Sequence, residues 1–189
     1  AAMPVSGCTA LQALQRADIS PSTRALIIGA GGGVGGYATQ IAAAMGATVT
    51  GVCSAGKADL VRSLGAVDVI DLAREEVDRD GPVYDVIVDT AGNRPISLLR
   101  RAMTRDGSLL IVGGDGGGSV TGGFERSLLA GVVSGFVSQR ISGVIATVRT
   151  DSLQELTRLV DAGQLRPVVG ATYPLADTAD AVRAIGTHH

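Results

Sequence analysis

An apolar run breaks into glycines and resumes as a helix, and this feature constrains the chain most. Leu26-Ile27-Ile28 leads into Gly29-Ala30-Gly31-Gly32-Gly33-Val34-Gly35-Gly36, and residues 37–42 then read as amphipathic helix. A buried strand feeding such a turn brings backbone N–H groups to an anion, and the helix behind it adds its positive end. Two registers fit. Gly31-x-Gly33-x-x-Gly36 spells GxGxxG literally, and Ala30-x-Gly32-x-x-Gly35 spells the relaxed form that begins with Ala. The second is preferred, because it puts Val34 into the first helical turn and lets Gly35 face the first strand. A glycine turn without a ligand would look the same in isolation, so the surrounding chain decides.

That chain alternates strand and helix. Strands are expected over 25–28, 48–53, 67–70, 84–89, 108–112 and 132–136. Helices are expected over 4–17, 34–45, 57–64, 96–103, 153–162 and 177–185, with a short one over 124–130. Thr9 is a candidate cap for the first helix, and Leu11, Leu14 and Ile19 form its apolar face. Ile41 and Met45 share a face of the second, which Gly46 ends. Residues 71–82 are polar and expected at the surface, 105–107 form a turn, and 168–169 with 172–173 a short extended piece. The glycine-dense stretch 113–123 reads as a loop. Strands this short and apolar, alternating with helices, mean a parallel sheet covered on both faces. The expected fold is α/β, a Rossmann-type doubly wound parallel sheet of about six strands, with ligands at the carboxyl ends. The whole of 1–189 is expected to be one such domain with a leading helix.

Composition narrows the partners. Aromatic residues are only 3% of the chain, so Val, Ile, Leu and Ala must build the core. A net charge of −2 gives no electrostatic reason to bind nucleic acid or an anionic membrane. No apolar run approaches the roughly 20 residues that span a bilayer. The start has no basic segment and does not read as a signal peptide. Cys8 and Cys53 lie outside any CxxC and read as free thiols of a reducing cytoplasm. His188 and His189 stand at the very end, native or the first residues of a tag.

An acid ending the second strand would bond the ribose 2′-hydroxyl of NAD. Here the strand ends Val52-Cys53-Ser54 with no acid, and Lys57 follows. Ser54 can donate to a 2′-phosphate and Lys57 can place a charge on it, which favours NADP. The plainer alternatives are an N-cap serine and a solvated lysine. Asp59 is less well placed. S-adenosylmethionine as ligand would likewise call for an acid at the end of the second strand, and none is there. No GxSxG is present to expose a nucleophilic serine, and both His are terminal. No Cys/His cluster has zinc-ligand spacing. Tyr37, Tyr84 and Tyr173 are followed four residues later by Ile41, Val88 and Asp177, not by the Lys of a short-chain dehydrogenase. Cys53 reads as a packing residue.

Several stretches, in order, resemble medium-chain dehydrogenases/reductases. Residues 2–14 (AMPVSGCTALQAL) resemble the helix leading into their cofactor domain. The turn Gly32-Gly33-Val34-Gly35 with Ala38-Thr39-Gln40-Ile41-Ala42 resembles their quinone oxidoreductase, zeta-crystallin-like branch. So do 49–54, Ser63-Leu64-Gly65-Ala66, Val69-Ile70-Asp71, 84–89, 165–169 and 173–177. The likeness covers nearly the whole chain.

The resemblance implies zinc-independent reduction of quinones or activated alkenes (enones) by NADPH. It implies pyrophosphate contacts at Gly32, Gly33, Val34 and Gly35, and the 2′-phosphate at Ser54 and Lys57. It places Thr90, Ala91, Gly92, Val112, Gly113, Gly114, Phe136 and Val137 around the nicotinamide, and implies a homodimer through the strand near 132–137. Proteins of this branch are longer, and the N-terminal domain that completes their substrate cleft is absent from this sequence. No residue is assigned as a catalytic acid or base. The alternative expectation is a nucleotide-sensing or interaction module without turnover.

Overall fold

The computed structural model describes residues 3–112 and 138–186. The first element, α1, runs Pro4–Leu14. Pro4 stands in the first turn, where its missing N–H costs nothing. The helix stops at Leu14 rather than 17, because Arg16 and Ala17 donate to Ala13 and Leu14 in tighter turns. Thr9 does not cap it. Its hydroxyl donates to the Val5 carbonyl at 2.8 Å, inside the helix, and Met3 holds the N-cap position.

Six strands form one sheet: β1 (Arg24–Ile28), β2 (Thr48–Cys53), β3 (Asp68–Asp71), β4 (Tyr84–Asp89), β5 (Met103–Ile111) and β6 (Arg140–Gly143). Their order is β3-β2-β1-β4-β5-β6, and every pairing is parallel. The order reverses between β1 and β4, so a crevice opens beyond the carboxyl ends of those two strands. The expected α/β fold is observed.

The helices are α2 (Gly33–Ala44), α3 (Ala58–Ser63), α4 (Ile96–Ala102), α5 (Thr150–Asp161) and α6 (Thr178–Gly186). Successive side chains of a strand point to opposite faces, and both faces of this sheet are covered. Ile27, Val49, Val88 and Leu110 pack with Leu11, Leu14, Ile41 and Leu156 on one side. Leu26, Ile28, Val52, Ile87 and Leu109 pack with Leu99 and Met103 on the other. That is why β1 is apolar at every position from Ala25 on. Each such Leu or Ile contributes about 1.5–3 kcal/mol over its exposed state.

The structure differs from other expectations, and some of them fall outside what it describes. The sixth strand seen is Arg140–Gly143, pairing Ser108–Ile111 of β5. The strand expected over 132–136, the helix over 124–130 and the loop over 113–123 lie outside the described residues. Residues 105–107 are an irregularity inside β5: it advances from Met103 to Ser108 while β4 advances only from Tyr84 to Val86. The polar stretch 71–82 is not wholly superficial, since Val77 inserts into the second core. Arg79 holds that stretch down by pairing with Asp68, Glu75 and Asp80. Residues 168–173 form no strand and are exposed. Met45 is the C-cap of α2 and 37% exposed, so Ile41 alone represents that face in the core.

Candidate functional site

The glycine turn leaves β1 at the crevice. Gly29 and Ala30 both donate to the Val52 carbonyl at 3.0 Å, which ties the turn to β2. Gly32 donates back to Gly29 at 2.9 Å and is the extended N-cap of α2. No side chain caps this helix, and no acid stands in its first turn. Its first N–H groups are therefore available to an anion, and the helix dipole favours one there.

Geometry separates the two registers. A Cβ on Gly35 would collide with the Gly29 carbonyl oxygen, lying 2.6 Å from its carbon and 2.9 Å from Ala30 Cα. On Gly36 it would meet nothing nearer than Leu64 Cδ1 at 3.5 Å. Gly35 is thus the close-packing glycine between helix and strand. Gly29 has φ +81°, and Thr90 Oγ1 occupies the place of its missing side chain.

Thr90 comes from the end of β4, the other wall of the crevice. Its N–H and its hydroxyl both donate to the Ile28 carbonyl, at 3.1 and 2.7 Å. Asp89, fully buried, accepts from the N–H of Gly92 at 2.9 Å and of Ala91 at 3.3 Å. It shapes the Thr90-Ala91-Gly92 turn and was not among the residues singled out from sequence. Val112 N donates to Asp89 O at 2.9 Å, so β5 ends beside the same turn. Gly113, Gly114, Phe136 and Val137 lie outside the described residues. Ser6 was also missed. Its Oγ is the atom nearest to a Cβ built on Gly33, at 3.3 Å, so α1 reaches the turn.

Ser54 and Lys57 follow β2. Ser54 is exposed and extended, its carbonyl accepting from Lys57 N at 2.9 Å. Lys57 ends a 3-10 turn, Ala55–Lys57. Its stem lies on Gly31, where a Cβ would stand 2.6 Å from Lys57 Cδ and 3.1 Å from its Cβ. The one lysine of the sequence thus packs against the glycine turn. Two acids of this region are engaged. Asp59 pairs with Arg62 at 3.2 Å, and Asp71, beside Cys53 in the sheet, accepts from Ala73 N at 3.1 Å.

Neither Cys53 nor Tyr37 is poised for chemistry. Both are buried. Burial pushes the Cys53 thiol up and Asp71 adds to this, with Lys57 and Arg62 opposing. Burial alone pushes the Tyr37 phenol up. Among the described residues, no three His, Cys, Asp or Glu come together in a group that could hold a metal ion.

Against known proteins, residues 64–189 match the family model described as zinc-binding dehydrogenase. The chain is 29% identical to a chloroplast envelope quinone oxidoreductase homolog of Arabidopsis thaliana, over 96% of its own length and 56% of that protein. It is 32% identical to the mitochondrial NAD(P)H oxidoreductase RTN4IP1 of Mus musculus, over 88% of its length and 46% of that protein. The solved quinone oxidoreductase from Coxiella burnetii superposes with a TM-score of 0.81 at 27% identity, over 100% of this chain and 57% of that one. The chain spans about half the length of the curated relatives it matches.

Proposed function

Since the chain belongs to the zinc-binding dehydrogenase family, as the cofactor-binding domain of a medium-chain dehydrogenase/reductase, we propose that it binds NADP(H) and that the protein it serves reduces quinones or activated alkenes. The observation that carries the cofactor choice is Lys57 packed on Gly31 beside a β2 end without an acid. A nicotinamide cofactor fits the turn: Gly35 leaves the backbone room, and uncapped N–H groups face the crevice.

In this reading Gly32, Gly33, Val34 and Gly35 hold the pyrophosphate. Ser54 and Lys57 hold the 2′-phosphate. Thr90, Ala91 and Gly92, with Val112, border the nicotinamide, and Gly113, Gly114, Phe136 and Val137 are assigned there by resemblance. When bound, the cofactor supplies the hydride. The chain's own residues bind and orient it, and Asp89 keeps the Thr90–Gly92 backbone in shape for that purpose. The proton is assigned to water or to a residue outside this chain. Zinc-independence, a cytoplasmic location and a homodimer through 132–137 belong to the same proposal. Activity that survives exhaustive chelation supports the first of these.

The test is titration of NADPH and NADH into the chain and into Lys57→Ala. A charge-assisted phosphate contact is worth about 1.5–3 kcal/mol, so NADPH affinity should fall roughly ten- to hundred-fold and NADH affinity little. Unchanged NADPH affinity overturns the 2′-phosphate assignment. Consumption of NADPH with quinones and enones tests the reaction.

A further inference from the structure

A second concentration of positive charge lies at the other end of the sheet. Met103 of β5 pairs with Tyr84, the first residue of β4. The region around them is therefore at the amino ends of the strands, opposite the glycine turn. There a cleft of about 440 Å³ is lined by Ser97, Arg100, Arg101, Arg105, Ser138 and Gln139. The lining residues are three arginines, two serines and a glutamine, with no acid among them.

Part of this wall is built rather than loose. Gln139 Nε2 donates to the Arg100 and Thr104 carbonyls at 3.1 and 3.2 Å, and its Oε1 accepts from Arg100 Nε at 2.9 Å. Ser138 Oγ donates to the Arg105 carbonyl at 2.8 Å. These bonds lock the chain before β6 onto the end of α4 and the start of β5. The charges are unevenly matched. Arg101 Nε pairs with Asp78 at 2.8 Å. Arg100 bonds only a neutral amide through its side chain, and the Arg105 guanidinium has no ion-pair or hydrogen-bond partner among the described residues. Two of these positive charges thus have no acidic partner among the described residues. Guanidinium forks suit tetrahedral oxyanions, which accept paired N–H groups.

We propose that this cleft binds a phosphate-type dianion, either free phosphate or the terminal phosphoryl group of a larger molecule. The site is independent of the nucleotide crevice, and the proposal does not rest on the hydride-transfer reading.

The test is amide-resolved NMR titration of the chain with inorganic phosphate and with glycerol 3-phosphate, and with acetate at matched ionic strength. Saturable shifts at Arg100, Arg105 and Gln139 are expected from both phosphates and not from acetate. Arg105→Ala, whose side chain is exposed, should weaken phosphate binding about ten-fold, and Lys57→Ala should leave it unchanged. Tighter binding of glycerol 3-phosphate identifies the phosphoryl group of a larger molecule as the ligand, and equal binding identifies free phosphate. Shifts that never saturate, that acetate reproduces, or that fall only on the glycine turn overturn the proposal.

Discussion

Gly35 and Gly36 are adjacent, chemically identical and interchangeable to a pattern match, yet the fold treats them differently. A methyl group on Gly35 must displace the Gly29 carbonyl, which is backbone and cannot rotate away, whereas on Gly36 it reaches ordinary contact with Leu64. Gly35→Ala should therefore destabilise the chain by about 1–3 kcal/mol through overpacking. Gly36→Ala should cost little and can gain from helix propensity. Urea denaturation of the two variants decides it, and equal effects would refute the assigned register. This much was legible in the sequence, because the distance from the strand end fixes which glycine faces it. The role of Asp89 was not, since a buried acid bonding backbone N–H groups has no spacing that marks it. A second residue-scale prediction concerns pH. Burial raises the Cys53 thiol above its ordinary 9.0, and raises the Tyr37 and Tyr84 phenols above 10.0. The folded chain holds these protons more tightly than the unfolded one. Above about pH 9 the unfolded state loses them first, so stability declines as pH rises further. Denaturation midpoints followed from neutral to alkaline pH should fall there, and a rise would contradict the cause given.

At the scale of elements, β1 and β4 were readable because strands covered on both faces carry unbroken apolar runs, here Ala25–Ile28 and Val86–Val88. β6 was not. Arg140-Ile141-Ser142-Gly143 offers one strong apolar side chain, Ile141, and β6 stands at the end of the strand order, where less of it needs burial. The packing of α1 was equally hidden. It lies on α2 and α5, and Gly7 lets Leu156 approach to within 3.0 Å of where its Cβ would be. Gln12 finishes that junction. Its Nε2 donates to Thr147 O at 2.7 Å and Ser152 Oγ at 3.0 Å, and its Oε1 accepts from Thr147 N at 3.2 Å. One side chain so satisfies both backbone groups of a residue in the irregular stretch after β6. Gln12→Ala leaves them to water and should cost about 1–2 kcal/mol, read as a lower urea midpoint with the slope unchanged. A neutral Gln12→Ala would mean that water already serves Thr147.

Across the whole molecule, burial is distributed very unevenly. The β1 and β4 side chains form the centre of both cores, and Leu26, Ile27, Ile87 and Val88 are wholly buried. The end of the described chain is the opposite. Val168, Val169, Tyr173, Leu175 and Val182 are all exposed, Leu175 at 90%. The main packing partner of α6 is the turn Leu175–Asp177 just before it. The last strong ties to the sheet-bearing part are Leu165, buried, and Arg166, whose N–H donates to Gln40 Oε1 at 2.9 Å and whose guanidinium donates to Ser63 Oγ at 3.0 Å. A helix of this length, held by so little apolar contact, is marginal in water. Opening it costs far less than opening the sheet, because no core residue has to be exposed. Hydrogen exchange should therefore divide at Arg166. Amides of 168–186 should exchange with little protection, while those of β1 and β4 exchange only by global unfolding and track the denaturant-derived stability. Equal protection of 168–186 and β1 in the isolated chain would show that the tail is held by contacts as strong as those of the core.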